Sequence, residues 1–447
     1  MISNWLIVLV LFIVYEGFYL LPESLVVIPG VFRLSDAFFV MLPLFCLFFI
    51  KSLLKAFRSY REESLLVVGI CVVMLISPLM AHLFFDQPYT QGLILVRQNF
   101  VWLSFFTYVL FLRNIEGLET LVNLTTALIG IYVVILLLTK YFPDLGLIHF
   151  TEKYYSKIGG MRRFGDHRLF FPYGSVPVFI YCVTLARLLY ARKEVSAISK
   201  SCWVGLLFVV SYAILSTYTR TLVSSLVVVT AFALITCKQR ILKFAAIALS
   251  LVFVSILALG MAVSEENIPI IGDTKLAKMV LQTSKLQKEA GREFQMSMYL
   301  SALMRSPITG VGNLATRKDS EKEIGTMTTY RKYGFFNGSD LGYMKIAGES
   351  GLVGIAWVVW FFSYMYRSSK QTLTKAVALG NVPVAEAICR GSYYFLVYLI
   401  FTGFTFAHFV LPNGIAIVAF SLALMAVTRV SVNQLAATNT MTDGTVR

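Results

Sequence analysis

Histidine, acidic residues and paired cysteines are what this sequence has least of. Among 447 residues there are 4 His and 24 Asp plus Glu. The histidines are dispersed, so no metal centre built from clustered imidazoles and carboxylates is expected, and no cofactor. Cys46, Cys71, Cys182, Cys202, Cys237 and Cys389 stand singly in or beside apolar runs, without a CxxC. That spacing excludes a zinc ribbon and a disulfide framework, and the six read as small buried hydrophobes. Gly310-Val311-Gly312 is followed by no Lys-Ser or Lys-Thr and preceded by no strand pattern, which excludes a nucleotide loop. Internal repeats and low-complexity tracts are missing too. The first apolar run, Trp5 to Leu21, has no basic segment before it and no small-residue cleavage site, so it is expected as a retained span.

What the chain has is apolar length. It is 57% hydrophobic and 14% charged, with mean hydropathy +0.74, where soluble domains carry about 25% charged residues. The expected fold is all-α: a polytopic membrane protein of about twelve transmembrane helices, each of about twenty residues, with a large helical periplasmic loop. The net charge of +15 would suggest nucleic acid in a soluble protein. In a membrane protein basic residues first anchor cytoplasmic loops, so the partner expected is the lipid bilayer and no nucleic acid. Spans are placed near 5–21, 36–54, 64–85, 92–112, 118–139, 169–190, 202–217, 220–236, 242–263, 341–366, 391–411 and 413–430. Basic groups around Lys51–Arg61, Arg187–Lys200, Lys238–Lys243 and Arg367–Lys375 then fall on one side, with both termini cytoplasmic. Parity requires 202–236 to be two spans meeting near Thr217–Thr221, which delivers Arg220 to the outer end of a helix pair.

The resulting division is 1–139, N-terminal spans; 140–168, a first external loop; 169–263, central spans; 264–340, the large periplasmic loop; 341–430, C-terminal spans; and 431–447, a cytoplasmic tail. Within the large loop Met296, Tyr299, Leu300, Leu303 and Met304 recur at helical spacing, with Arg292 and Gln295 opposite. This predicts an amphipathic helix on the membrane surface or over a cavity, broken by Pro307, Gly310 and Gly312.

Arg162, Arg163, Arg168, Arg220, Arg292 and Arg305 fall on the expected external side. Guanidinium is permanently charged and forks onto phosphate oxygens, which suits a diphosphate headgroup. The plainer role for any one of them is an anionic lipid or a loop carboxylate. Arg220 differs because it sits in an apolar stretch, where an arginine at the bilayer centre costs about 2.5–3.5 kcal/mol and needs a partner or a site. Lys345 lies near the outer end of a span, placed to snorkel or to meet a substrate phosphate. Asp340 either caps the helix that follows it or serves as a general base. Glu349, about 13 Å deeper by helical rise, has Lys345 one turn earlier on its face, and structural pairing is its expected role. Gly348, Gly351 and Gly354 read as close helix packing.

Taken in order, the polar patch ending in Arg220-Thr221, the Arg292-led segment with Pro307-x-x-Gly310-x-Gly312, and Asp340 nine residues before Glu349-x-Gly351-Leu352-x-Gly354 resemble the bacterial O-antigen polymerase and O-antigen ligase superfamily, including the Wzy-type polysaccharide polymerases. The resemblance covers roughly 200–360 in motif and the whole chain in topology. It implies a metal-independent glycosyltransferase at the outer face of the bacterial inner membrane, acting on an undecaprenyl-diphosphate-linked oligosaccharide, with a chain-length regulator and a flippase as partners. By matching position Arg220, Arg292 and Asp340 are the catalytic residues. Arg305 and Lys345 bind substrate, and Arg162, Arg163 and Arg168 do so by charge and location alone. In the ligase branch a His usually precedes the Glu-x-Gly helix; here Asp340-Leu341 stands there, which leaves the polymerase as the reading. The alternatives are a ligase that moves glycan to lipid A core and, in another class, a transporter or flippase of lipid-linked glycan.

Overall fold

A computed structural model describes residues 2–21, 27–28, 32–112, 115–142, 145–147, 162–163, 166–167, 169, 174–190, 195–217, 219–237, 290–313, 341–380, 382–406 and 408–444. In chain order its helices are α1 (Ile2–Val14), α2 (Leu34–Phe48), α3 (Ile50–Ser59), α4 (Arg61–Phe85), α5 (Tyr89–Val96) continuing through a 3-10 segment into α6 (Ser104–Phe111), α7 (Ile115–Tyr141), α8 (Ser175–Leu189), α9 (Ala197–Ser216), α10 (Arg220–Thr236), α11 (Ala290–Arg305), α12 (Gly342–Leu379), α13 (Pro383–Thr402) and α14 (Pro412–Gly444). Two antiparallel ladders of two residues per strand, Val27–Ile28 with Phe32–Arg33 and Arg162–Arg163 with Asp166–His167, are the strands among the described residues. The chain is a helical, multi-pass membrane protein. Among the described residues seven helices are long and apolar enough to cross a bilayer, and three shorter ones are apolar.

Several expected spans change on folding. The run over 36–54 divides at Phe49, and α3 becomes an amphipathic helix that buries Leu53 and Ala56 and exposes Lys51, Lys55 and Arg58. Charges at one-turn spacing cannot face lipid, so the chain turns where they begin. The basic group Arg367 to Lys375 lies on α12 rather than in a loop. The part of that helix from Leu352 to Leu379, beyond a kink at Gly351, is about 42 Å long, still longer than a hydrocarbon core of about 30 Å. The run placed at 391–411 is helical only to Thr402. The run at 202–236 does divide, α9 ending at Ser216 and α10 starting at Arg220, whereas 242–263 lies outside the described residues.

α14 is the axis of the bundle. Every residue from Ile415 to Thr428 is at most 1% exposed, the condition of a helix that is apolar all round. Ala416, Ala419, Ala423 and Ala426 keep its girth small, and α6, α12 and α13 pack against it. α9 is at the other extreme, with only 17% of its span buried.

One ion pair closes the Leu379 end of the bundle. The wholly buried carboxylate of Glu63, on α4, accepts from Arg429 Nε (3.0 Å) and Nη2 (2.9 Å) on α14. Tyr364 of α12 donates to the same carboxylate. Three helices are thereby tied through one group, a feature that sequence reading missed because Glu63 and Arg429 are 366 residues apart.

At the opposite end the α13–α14 turn folds inward. Phe409 enters a ring cluster with Trp102, Trp357, Phe361 and Phe362. Buried beside it, His408 has Nε2 2.7 Å from Thr402 Oγ1 and Nδ1 3.2 Å from Ser175 Oγ. The Thr402 hydroxyl already donates to the Tyr398 carbonyl (2.7 Å), so it can only accept, and His408 must carry its proton on Nε2. Burial holds this imidazole neutral and lowers its pKa to about 3.

Two outcomes are expected. Glu63→Ala, which strands the Arg429 guanidinium, should cost about 3–5 kcal/mol. A Glu63/Arg429 double-mutant cycle, followed by thermal unfolding in detergent, should show strong coupling. For His408 the folded pKa lies below the unfolded one, so between about pH 6.5 and 3 the unfolded chain binds a proton that the folded chain refuses. Stability is therefore full above pH 6.5 and falls as the solution is acidified, by about 2 kcal/mol from pH 7 to pH 5, and His408→Gln should flatten that profile.

Candidate functional site

The segment that follows α11 and the middle of α12 are one structure. Gly351 has φ 60° and ψ −152°, a region essentially closed to residues with a Cβ, and α12 is broken there. In an unbroken helix the amides of Leu352 and Val353 would bond the carbonyls of Gly348 and Glu349. Here the two pairs are parted and each is met by the loop. Val311 N donates to Gly348 O (3.0 Å) and Gly312 N to Glu349 O (3.1 Å), while Leu352 N donates to Pro307 O (2.8 Å) and Val353 N to Ile308 O (3.1 Å). Two helical bonds are thus replaced by four. In a helix that crosses a membrane this matters, because an unpaired backbone group there costs several kcal/mol.

The Pro-x-x-Gly-x-Gly and Glu-x-Gly-Leu-x-Gly motifs are therefore two halves of one joint. Gly310 (φ 67°) and Gly312 (φ 83°) occupy conformations that favour glycine. A Cβ at Gly310 would lie 2.5 Å from the Glu349 backbone, and one at Gly312 would lie 2.1 Å from the Ser77 carbonyl. Gly351 was expected to serve helix packing; its role is to break the helix.

α4 supplies the other wall. Asn313 N donates to Ser77 Oγ (2.8 Å), Gln87 Nε2 donates to Asn313 O (3.1 Å), and the Gln87 carbonyl is 2.9 Å from His82 Nδ1. Arg305, at the end of α11, lies over the rings of Phe84 (5.4 Å) and Phe85 (5.1 Å) and reaches the Phe84 carbonyl (3.5 Å). Its exposed guanidinium caps the end of α4, and the rest of the fork faces outward. Ser77 and Gln87 were not singled out from sequence; Gln87 in the short Asp86-Gln87-Pro88 turn carried no distinguishing pattern.

α11 forms over Ala290–Arg305, in the stretch where helical spacing predicts it, but its apolar residues divide. Tyr299 and Ala302 are buried, Tyr299 against Gly348, where a Cβ would meet the ring at 2.5 Å. Met296, Leu300 and Met304 are exposed. The helix thus clamps α12 with one face and offers an apolar stripe with another. Burial and the nearby Glu349 carboxylate raise the Tyr299 pKa, which keeps the phenol neutral.

Behind the joint Lys345 and Glu349 are both buried, with Lys345 Nζ 3.7 Å from Glu349 Oε1. That spacing pairs the charges without a hydrogen bond, and among the described residues Glu349 Oε1 has no hydrogen-bond partner. Tyr343 fixes the start of α12, its amide donating to Gly403 O (2.8 Å) and its hydroxyl lying 3.1 Å from the Leu399 and Ile400 carbonyls.

Of the other expected site residues, Asp340 and Arg168 lie outside the described residues. Arg220 is the first residue of α10 and Arg292 lies in the first turn of α11, while Arg162 and Arg163 pair with His167 and Asp166 in a short ladder; the side chains of these four are outside the description. Leu169 N donates to Ser216 O (3.0 Å), which brings the end of the first basic loop to the turn leading into Arg220.

Substitution at the joint separates strain from collision. Gly380 has φ 69° and nothing within 4 Å of an added Cβ, whereas at Gly351 a Cβ would meet the Gly310 amide and the Ile308 carbonyl at 2.5 Å. Gly380→Ala should cost about 1–2 kcal/mol. Gly351→Ala should cost at least twice that in thermal unfolding and should expose the 306–313 segment to protease.

A search among curated proteins finds no match to this chain. A family model described as O-antigen ligase matches residues 205–359, a stretch that runs from within α9 through α10, α11 and the joint to the middle of α12. Over that stretch the chain is similar to the O-antigen ligase family.

Proposed function

We propose that the chain is an inner-membrane polysaccharide polymerase that joins repeat units carried on undecaprenyl diphosphate at the periplasmic face. The observation that carries this reading is the joint: the family-matched stretch holds Arg292, Arg305, Lys345 and the residue after Asp340 on elements locked to one end of the bundle. A hydroxyl of one lipid-linked repeat unit attacks the anomeric carbon of the growing chain. Asp340 takes the proton as general base, the glycosidic bond forms, and undecaprenyl diphosphate leaves with the bonding pair. Arg220 and Arg292 meet the charge that develops on the diphosphate, and single displacement inverts the anomeric centre. Arg162, Arg163, Arg168, Arg305 and Lys345 hold the polyanionic substrates, and Glu349 neutralises Lys345 when no phosphate is present. The exposed stripe Met296, Leu300 and Met304 is suited to lie in lipid beside a polyprenyl chain. Both termini are cytoplasmic, and a flippase and a chain-length regulator act alongside.

The ligase reading is kept by the matched family's own description. It shares the donor and differs in the acceptor.

Purified protein given one lipid-linked donor and either a second lipid-linked unit or lipid A core separates the two, and growth of a ladder on the lipid-linked unit is the expected result. Arg220→Ala, Arg292→Ala and Asp340→Ala should each lower chain extension by about a hundredfold or more in protein that remains folded. Undiminished ladders in Asp340→Ala would remove it as the base.

A further inference from the structure

The end of the bundle where α12 stops and α13 starts is remote from the joint. A cavity of about 460 Å³ there has Arg187 in its wall, bonded to Asn123 Oδ1 (2.6 Å). Cys202 is in the same lining and is exposed, a correction to the expectation that every cysteine is buried. A second cavity, of about 340 Å³, lies against the tie between Glu63 and Arg429. Glu62 of α4, Arg429 of α14 and one side of α12, from Trp360 to Gln371, enclose it.

Both carboxylates at this place answer to Arg429. Glu63 takes two hydrogen bonds from it, and Glu62 attracts it from farther off. Arg367, across the cavity, is in no ion pair among the described residues. Its Nε donates to Ser363 O (3.2 Å), which leaves four of five N–H donors for a partner. Arg61 and Lys370, exposed next to the lining on α4 and α12, bring the local balance to four cations against two carboxylates. A further negative charge is therefore accommodated here.

Two more donors flank Arg367. Ser368 is buried, and its hydroxyl lies by the Tyr364 phenol without completing a hydrogen bond among the described residues. A buried polar group left so is uncommon and calls for a partner. Gln371, about one turn past Arg367, is exposed. Guanidinium, hydroxyl and carboxamide at i, i+1 and i+4 make a set of donors suited to phosphate oxygens. Toward the middle of the bundle the wall turns apolar. Trp360 crosses onto α4 at Gly69, where an added Cβ would lie 3.6 Å from its ring, and it remains 40% exposed, as a tryptophan at the edge of a bilayer does. Leu65 and Val72 on α4 and Val353 on α12 are exposed along the same two helices, so the cavity continues into a groove that faces lipid tails.

We propose that this cavity seats the phosphodiester of a membrane phospholipid, its oxygens on Arg367, Ser368 and Gln371 and an acyl chain in the groove between α4 and α12. The volume lies within the 300–1,000 Å³ of ordinary ligand sites. A free phosphate would use the same donors but not the groove.

Photolabelling of the full chain in bilayers separates these cases. The probes are phosphatidylglycerol and diacylglycerol carrying the same photoreactive chain, with labelled peptides mapped by mass spectrometry. In wild type, phosphatidylglycerol should label the α4 and α12 groove peptides about tenfold more than diacylglycerol. Arg367→Gln, in protein of unchanged melting temperature, should lower that preference about fivefold to tenfold, and Arg367→Lys should restore part of it. Trp360→Ala should lower labelling by both probes. Equal labelling of the groove by the two probes in wild type, a preference unmoved by Arg367→Gln, or loss of the phosphatidylglycerol label on adding millimolar inorganic phosphate would each overturn the assignment.

Discussion

Four backbone hydrogen bonds between the Pro307–Gly312 segment and the break at Gly351 govern the arrangement of the family-matched region. A membrane-spanning helix cannot be interrupted unless something else takes its orphaned amides and carbonyls, and here that something is a loop from the polar insertion. The loop's other edge is bound to Ser77 and Gln87, so α4, α11 and α12 are set by one short stretch of chain. Arg305 and the Lys345–Glu349 pair take their positions from it.

The two ends of the bundle are built by different chemistry. The joint is made of main chain and glycine, with one buried ion pair at 3.7 Å. The Leu379 end depends on side-chain charge, a carboxylate shared by Arg429 and Tyr364 and a cavity with Arg187 in its wall. Backbone interlocking gives rigidity without presenting permanent charge. Ion pairs at the other end use charges where headgroups and water can solvate whatever is left over.

Sequence alone carried the helical class, the division of 202–236 and the helix over Ala290–Arg305, because each rests on local pattern: apolar length, alternation of basic loops, and 3.6-residue spacing. It also brought the glycine motifs into one order, although not into contact. What it missed is non-local. The Glu63–Arg429 pair and the Gln87–Asn313 bond join residues 366 and 226 positions apart, and no periodicity encodes them. Gly351 was misread because small-residue spacing looks the same whether a glycine admits a neighbouring helix or admits a positive φ. Span lengths were misjudged where hydropathy and helix diverge, as at Thr402, where apolar residues continue into an inward turn, and at Leu379, where the helix continues past the apolar run.

The enclosure of α14 carries an implication for biogenesis. A helix with no lipid-facing surface from Ile415 to Thr428 cannot occupy its place until its neighbours surround it, yet it emerges from the ribosome after all of them. The earlier helices must therefore wait in the bilayer as a loose collection with a vacant slot, and the tie from Glu63 to Arg429 can close only when α14 arrives. Closure of the bundle is timed to the synthesis of α14, and a chain halted before it would leave Glu63 without its guanidinium, a state that membrane proteases can distinguish from a finished one.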